Sequence, residues 1–280
     1  MATGEPLTTL YLEATSLADE VGFVALGDLS NIMRAQGSSA YRIIGGHMMT
    51  ALSYRWRLGS DLYRETGDAD IGVPPVAIRE QDLVKDLLGL GYVQVDGSRF
   101  ERELPDLRPV LSGATAAIPR AAIDVLLPAY DSRPRANKRV AGVIASQALG
   151  LALALQLPPL AMNLRLTHLD HSSIDVDLLF PNELAALAMK ALVTTVRHKD
   201  TDIVDLWRCL EICQAAGARL GDLDRDEDLI RAARITRGLF ADINGVGMRS
   251  LAAYFALSRA GAIQRHTRIR ALLANVLDVK

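Results

Sequence analysis

The residues with the clearest chemical potential lie between Ile43 and Asp124. Asp68 and Asp70 stand two apart in D-A-D-I-G-V, an alternating run that stops at Pro74-Pro75 and therefore reads as a strand, Asp68 to Val73, with its end marked. Carboxylates at i and i+2 of a strand project from one face. A rigid pair of that kind can hold one or two Mg²⁺ ions, hard cations that prefer oxygen ligands. Asp124 is the only charged residue in A-A-I-D-V-L-L. A carboxylate inside an apolar strand is expensive unless it sits at an edge or a metal. If that strand lies beside the first, three carboxylates converge, and two metals held there activate an attacking oxygen and stabilise a leaving pyrophosphate.

Upstream, Tyr41 to Ile44 reads as a short strand that ends in Gly45-Gly46, with a helix from His47 to Trp56 behind it. Glycines at the start of a helix let backbone amides approach a phosphate, and the helix dipole favours the anion. D-x-D and Gly-Gly are each common by chance. The ordered combination of strand, Gly-Gly, helix, D-x-D strand and a third Asp in a later strand is far rarer.

These residues need elements to position them. Leu7, Leu10, Leu12, Leu17 and Val21 recur at helical spacing, which predicts an opening helical segment over the first ~35 residues. Ile78 to Leu88 has helical periodicity and closes at Gly89 to Gly91. Tyr92 to Val95 and Arg99 to Leu104 flank Asp96-Gly97, a hairpin signal. Ala121 to Leu127, Leu160 to Leu166 and Ile174 to Leu179 read as strands. From Pro181, placed as a first helical residue, the character is helical: Glu183 to Val196, Asp202 to Ala215, Asp226 to Arg237, and Arg249 to Asn275 with divisions near Asn244-Gly245 and Gly261. The expected fold class is α+β, a mixed sheet flanked by helices over 1–180 and an all-helical part over 181–280.

Of the 280 residues, 50% are hydrophobic and 23% charged, which excludes wholesale disorder. Val140 to Leu157 is nearly uncharged but holds Ser146, Gln147 and Gln156 and runs into Pro158-Pro159, so it reads as buried core and not a membrane span. Cys209 and Cys213, four apart on a helix, share a buried face and do not make a disulfide scaffold. No secretory signal stands at the N-terminus, and the expectation is a cytoplasmic protein with no membrane partner. Net charge is −2, but its distribution is uneven: nine acids against three bases over 200–230, then eight arginines against Asp242 over 231–270. That block is either a helix face paired with the acidic one or a grip on nucleic-acid phosphates. His168, Asp170 and His171 have metal-like types but lack further ligands at metal spacing. Trp56 and Trp207 read as helix-packing aromatics, and no Walker-type loop or cysteine zinc site is present.

Gly45-Gly46 followed by Asp68-x-Asp70 and Asp124 resembles the nucleotidyltransferase fold of the DNA polymerase β type. Within it, Arg64, Thr66, Asp68 and Asp70, as R-x-T-x-D-x-D, are similar to the AbiEii-type group, which includes bacterial toxins of toxin–antitoxin pairs. The resemblance continues over about residues 40 to 210, through N-E-L-A-A-L-A-M-K-A-L with Lys190 and K-D-T-D-I-V-D-L with Asp202 and Asp205. It implies that Asp68, Asp70 and Asp124 bind Mg²⁺ or Mn²⁺ and that Asp124 helps deprotonate the acceptor. It further implies that Gly45 and Gly46 cradle the phosphates of an NTP, that Arg64 or Thr66 orients the loop, and that Lys190 and Asp202 complete the catalytic set.

Two positions depart from the family. His47 stands where a Ser or Thr often follows the double glycine, so its imidazole either joins the nucleotide-binding set by donating to a phosphate or marks a substrate shift or lost activity. Thr201-Asp202 stands where Arg-Asp is usual, although Arg197 and Lys199 lie within a turn. By its own surroundings Lys190 is either a lysine that snorkels to solvent or the point charge that meets the triphosphate. Asp202 and Asp205 are equally an acidic helix start favoured by the dipole. The implied activity is transfer of an NMP from an NTP to a hydroxyl acceptor. The resemblance points to RNA such as a tRNA end, gripped through Arg231–Arg270, and to a cognate antitoxin. A small-molecule acceptor of the antibiotic type and a degenerate, non-catalytic nucleotide-binding module are the alternatives. A DNA-binding reading lacks a helix-turn-helix signature.

Overall fold

The computed structural model describes residues 9–59, 65–80, 83–110, 118–131, 134–135, 138–140, 143–197, 199–223 and 226–277. These divide into two compact units: the described residues within Met1–Met48, Arg64–Ala148 and Pro159–Phe180, and those within Met49–Tyr63, Leu149–Pro158 and Pro181–Lys280.

The first unit begins with β1 (Thr9–Glu13), α1 (Leu17–Ala35), β2 (Arg42–Ile44) and the first turn of α2 (Gly45–Arg55). There follow β3 (Asp68–Gly72), α3 (Pro75–Glu80), α4 (Leu83–Gly89), β4 (Val93–Asp96), β5 (Arg99–Glu103), β6 (Arg120–Pro128), β7 (Lys138–Val140) and β8 (Val143–Ala148). After α5 (Leu151–Gln156), which belongs to the second unit, β9 (Leu160–Thr167) and β10 (Ser173–Phe180) return to the first. Seven strands join in one mixed sheet along β2-β3-β6-β5-β4, with β8 on β6 and β7 on β8; β1, β9 and β10 form a second sheet. In β6, Ala121, Ala122, Ile123, Val125 and Leu127 are buried, the near-continuous apolar run of an interior strand.

Helix α1 packs on β3 and β6 of the larger sheet and on β10 of the smaller. Ser16 caps it by accepting from the Asp19 amide, and Asp19 in return accepts from the Thr15 amide and hydroxyl. Leu26 and Leu29 are fully buried on its inner face, each contributing roughly 1.5–3 kcal/mol of apolar burial.

The second unit contains the rest of α2, then α5, α6 (Glu183–Val193), α7 (Asp200–Ala216), α8 (Glu227–Phe240), α9 (Val246–Tyr254) and α10 (Arg259–Leu272). Helix α6 contacts α5, α7 and α8 and is buried almost all round, as its Leu- and Ala-rich sequence requires.

Several expectations change. The opening segment is not helical throughout: Thr9 to Glu13 alternates half-buried, buried and exposed, and pairs parallel with β9 from Thr9↔Asn163 to Glu13↔Thr167. A strand partner 154 residues away leaves no trace in local periodicity. The 78–88 pattern resolves into two short helices, with Pro75 as the first residue of α3. Val140 to Leu157 is not one element, because it closes β7, forms β8 and enters α5 at Gly150, whose φ is +73°. Among the described residues no helix is long and apolar enough to cross a membrane. Pro181 lies outside α6; Asn182 caps that helix by accepting from the Ala185 amide at 2.9 Å. The last division falls before Ser258, which caps α10, and Gly261 lies inside that helix.

Candidate active site

β3 and β6 run parallel in the register Asp68↔Ala122 and Asp70↔Asp124. Paired residues of a ladder share a face, so Asp68, Asp70 and Asp124 project together. On the other side of β6, β5 runs antiparallel with Arg99↔Asp124 and Glu101↔Ala122. Arg99, Asp124 and Asp70 thus form a row across three adjacent strands, and Glu101, Ala122 and Asp68 form the next. The methyl of Ala122 leaves that second row low, and the Arg99 guanidinium reaches across. Its Nη1 donates to Asp124 Oδ2 at 3.0 Å and to Asp68 Oδ2 at 3.4 Å, while its Nε donates to Glu101 Oε1 at 2.9 Å. Ser98 Oγ stands 3.5 Å from Asp124 Oδ1.

The two carboxylates differ in solvation: the Asp124 side chain is 18% exposed and that of Asp68 41%. Burial pushes the Asp124 carboxyl above the usual range, against the pull of Arg99. Glu101 goes the other way, held below the ordinary value by its hydrogen bond from Arg99.

At the end of β2, Ile44 pairs with Asp70, and Gly45 then takes φ +69° to open α2. A Cβ on Gly45 would fall 1.7 Å from Asp70 Oδ2, and one on Gly46 would fall 2.4 Å from Thr66 Oγ1. The carboxylate and the hydroxyl therefore lie over the two glycine Cα atoms at a helix N-terminus, where unpaired amides and the dipole favour negative charge. Thr66 is buried. His47 is buried as well, with its ring against α1: a Cβ on Gly22 would come 2.8 Å from His47 Nε2 and 2.4 Å from the Thr66 carbonyl. Arg64 lies outside the described residues.

The aspartates supply only hard oxygen, the donor chemistry that Mg²⁺ selects. Among the described residues, no three His, Cys, Asp or Glu side chains are gathered as a metal ligand set. Arg99 instead provides the positive charge between Asp68 and Asp124. The donors fit a divalent cation in kind, provided that Arg99 gives up their oxygens.

In the second unit, Lys190 of α6 is buried, and its Nζ donates to Asp205 Oδ2 of α7 at 2.8 Å. The other oxygen of Asp205 accepts from Arg208 Nη1 at 3.0 Å, and both of these side chains are 1% exposed. Asp202 is buried, and both its oxygens accept from Arg197, at 2.8 and 2.9 Å. The lysine therefore does not snorkel.

No family model and no curated protein matches the chain. Several solved structures resemble it. The crystal structure of an antigenic nucleotidyltransferase-like protein from Paracoccidioides brasiliensis is similar over 93% of this chain and 94% of that one, at 14% identity and a TM-score of 0.45.

Sequence reasoning missed Arg99, Glu101 and Ser98. The signal was there in part: R-F-E-R-E after the Asp96-Gly97 turn alternates about buried Phe100, which places Arg99 and Glu101 on one face. Nothing local says that this face is the one bearing Asp124. The His168 turn turns out to be structural: Glu20 of α1 takes His168 Nδ1 and the Leu169 amide, each at 2.9 Å.

Proposed function

We propose that the protein is a metal-dependent nucleotidyltransferase that moves an NMP from an NTP to a hydroxyl acceptor. The observation that carries this reading is the β3–β6 register, which sets Asp68, Asp70 and Asp124 on one face with Asp70 over the Gly45 turn. Asp68, Asp70 and Asp124 would hold Mg²⁺, which when bound offsets charge on the leaving pyrophosphate. The backbone amides at the Gly45–Gly46 start of α2 would bind phosphate oxygens, favoured there by the helix dipole. Asp124 Oδ1 would take the acceptor's proton as the acceptor oxygen bonds the α-phosphorus and the bond to pyrophosphate breaks. Thr66, seated on Gly46, would fix the turn, with Arg64 beside it in sequence. His47, packed on α1, would support the turn from behind. Lys190, gripped by Asp205, would lend positive charge to the triphosphate, and Asp202 would hold Arg197. Catalysis of this kind rests on positioning and charge neutralisation.

The acceptor we favour is RNA, as for a toxin with a cognate antitoxin. Arg234, Arg259 and Arg270 are exposed on α8 and α10 and suit phosphate contacts. The second reading, a non-catalytic nucleotide-binding module, draws on Arg99, which already pairs with two of the three aspartates.

The test is a labelling assay with Mg²⁺, each α-labelled NTP in turn and total tRNA, with Asp68→Ala as control. Label on RNA that vanishes in the variant supports the enzyme. An Asp68→Ala protein with wild-type rates would sink it, and binding without transfer would favour the small-molecule acceptor or the module.

A further inference from the structure

Arg99 is the one cation placed between Asp68 and Asp124 among the described ion pairs, and its position raises the question of what it does when a divalent cation enters. Its grip is divided. The Nε end is held by Glu101 at 2.9 Å, and Glu101 is itself steadied by Arg120 Nη1 at 3.4 Å. The Nη1 end is on the aspartates, at 3.0 Å to Asp124 and at 3.4 Å to Asp68. Strong charge-assisted pairs lie at ~2.7–2.9 Å, so the Asp68 contact is the weakest of the three and the first to yield.

Charge balance sets the direction of the exchange. Carboxylates crowded on one face need a counter-cation, and Arg99 is that cation in the resting protein. A divalent ion on the same oxygens makes the guanidinium redundant there and repels it. A polyphosphate arriving with the ion brings acceptor oxygens, and the fork of Arg donors matches phosphate geometry. The Nε–Glu101 bond lets the head turn without leaving the site.

Resting on the nucleotidyltransferase reading, we infer that Arg99 couples cation binding to nucleotide binding. It bridges Asp68 and Asp124 until a divalent cation displaces it, and then its Nη1 end, still pivoted on Glu101, binds a phosphate of the nucleoside triphosphate. Arg99 is thus a substrate-binding residue as well as a competitor of the metal.

The test uses the full chain, with Mn²⁺ alone as the first probe, followed by electron paramagnetic resonance, and a non-hydrolysable NTP analogue as the second, followed by calorimetry. Arg99→Met keeps the aliphatic stem and removes the charge. It should bind Mn²⁺ about tenfold more tightly than the wild type and bind the Mn²⁺–analogue complex about tenfold more weakly, a coupling within the ordinary range. Arg99→Lys, with charge but no fork, should keep Mn²⁺ affinity near wild type and still lose analogue affinity; it also serves should the Met variant fail to fold. Unchanged Mn²⁺ affinity in Arg99→Met, in a wild type that binds Mn²⁺ and labels its acceptor, overturns the role of Arg99 alone. Absence of Mn²⁺ binding in wild type and variant alike overturns both this role and the nucleotidyltransferase reading.

Discussion

The Asp70 carboxylate occupies the space in which a side chain at Gly45 would begin, 1.7 Å from its ideal Cβ position. Two parts of the candidate site, the helix-opening turn and the acidic pair, are therefore one packed unit. Position 45 needs a glycine twice over, for its φ of +69° and for the space.

Gly45→Ala should accordingly lose stability by more than the ~1–2 kcal/mol that a left-handed backbone costs a residue with a Cβ. In an Asp70→Ala background the excess should disappear, leaving the backbone cost. Urea denaturation of the four proteins of this cycle measures the coupling; additive losses would show that the contact is not the cause.

Glu101 gives a pH signature. Its carboxyl lies below the ordinary value of 4.5 because Arg99 hydrogen-bonds the ionised form. The folded state therefore holds the carboxylate more firmly than the unfolded chain does. That stability is present above the unfolded value and is lost as pH falls through the lowered folded value. Glu101→Gln should be less stable than wild type at neutral pH, and the gap should close on acidification below 4.5. Parallel denaturation curves across that window check it, and a gap that widens in acid would reverse the assignment.

The Lys190–Asp205–Arg208 triad sits in a helix core. Asp205→Ala removes the carboxylate that two buried cations share and should cost about 3–5 kcal/mol. Lys190→Met should cost less, because Asp205 keeps its bond to Arg208 at 3.0 Å. Thermal denaturation ranks the two. If Lys190 also serves the triphosphate, Lys190→Met should weaken NTP use well beyond what its stability loss explains.

The arginine block divides by what each residue already holds. Arg268 is paired with Glu211 at 2.6 Å, and Arg265 stacks 4.2 Å from the Trp207 ring. Replacing exposed Arg234, Arg259 or Arg270 by Ala should therefore reduce the salt slope of RNA binding by about one each, while Arg268→Ala changes it less. Fluorescence anisotropy over a salt series reads the slopes. RNA affinity that barely responds to salt would remove this block from the acceptor site.

How much of this was legible beforehand follows from the range over which each signal acts. Asp68 and Asp70, the Gly-Gly turn, the Asp96-Gly97 hairpin and most C-terminal helices are local patterns, set by the two-residue period of a strand, the freedom of glycine and the 3.6-residue period of a helix. Asp124 stood out because a charge in an apolar strand is costly. β1 was misread, since the apolar spacing of its leucines suits a helix until a distant strand claims it. Glu20 and Asp28 carry no local signal of what they hold; one holds the His168 turn, and the other pairs with Arg102 and accepts from Tyr92.

The sequence by itself determined which residues carry charge, which stretches alternate, and where glycine had to bend the chain. Only the tertiary structure decided that β3 and β6 lie side by side with Asp70 opposite Asp124, that Arg99 faces them from β5, and that Lys190 is paired and buried. The reason is physical. Strand register and ion-pair choice depend on groups far apart in the chain, whose energies exist only once folding has brought them within a few ångströms.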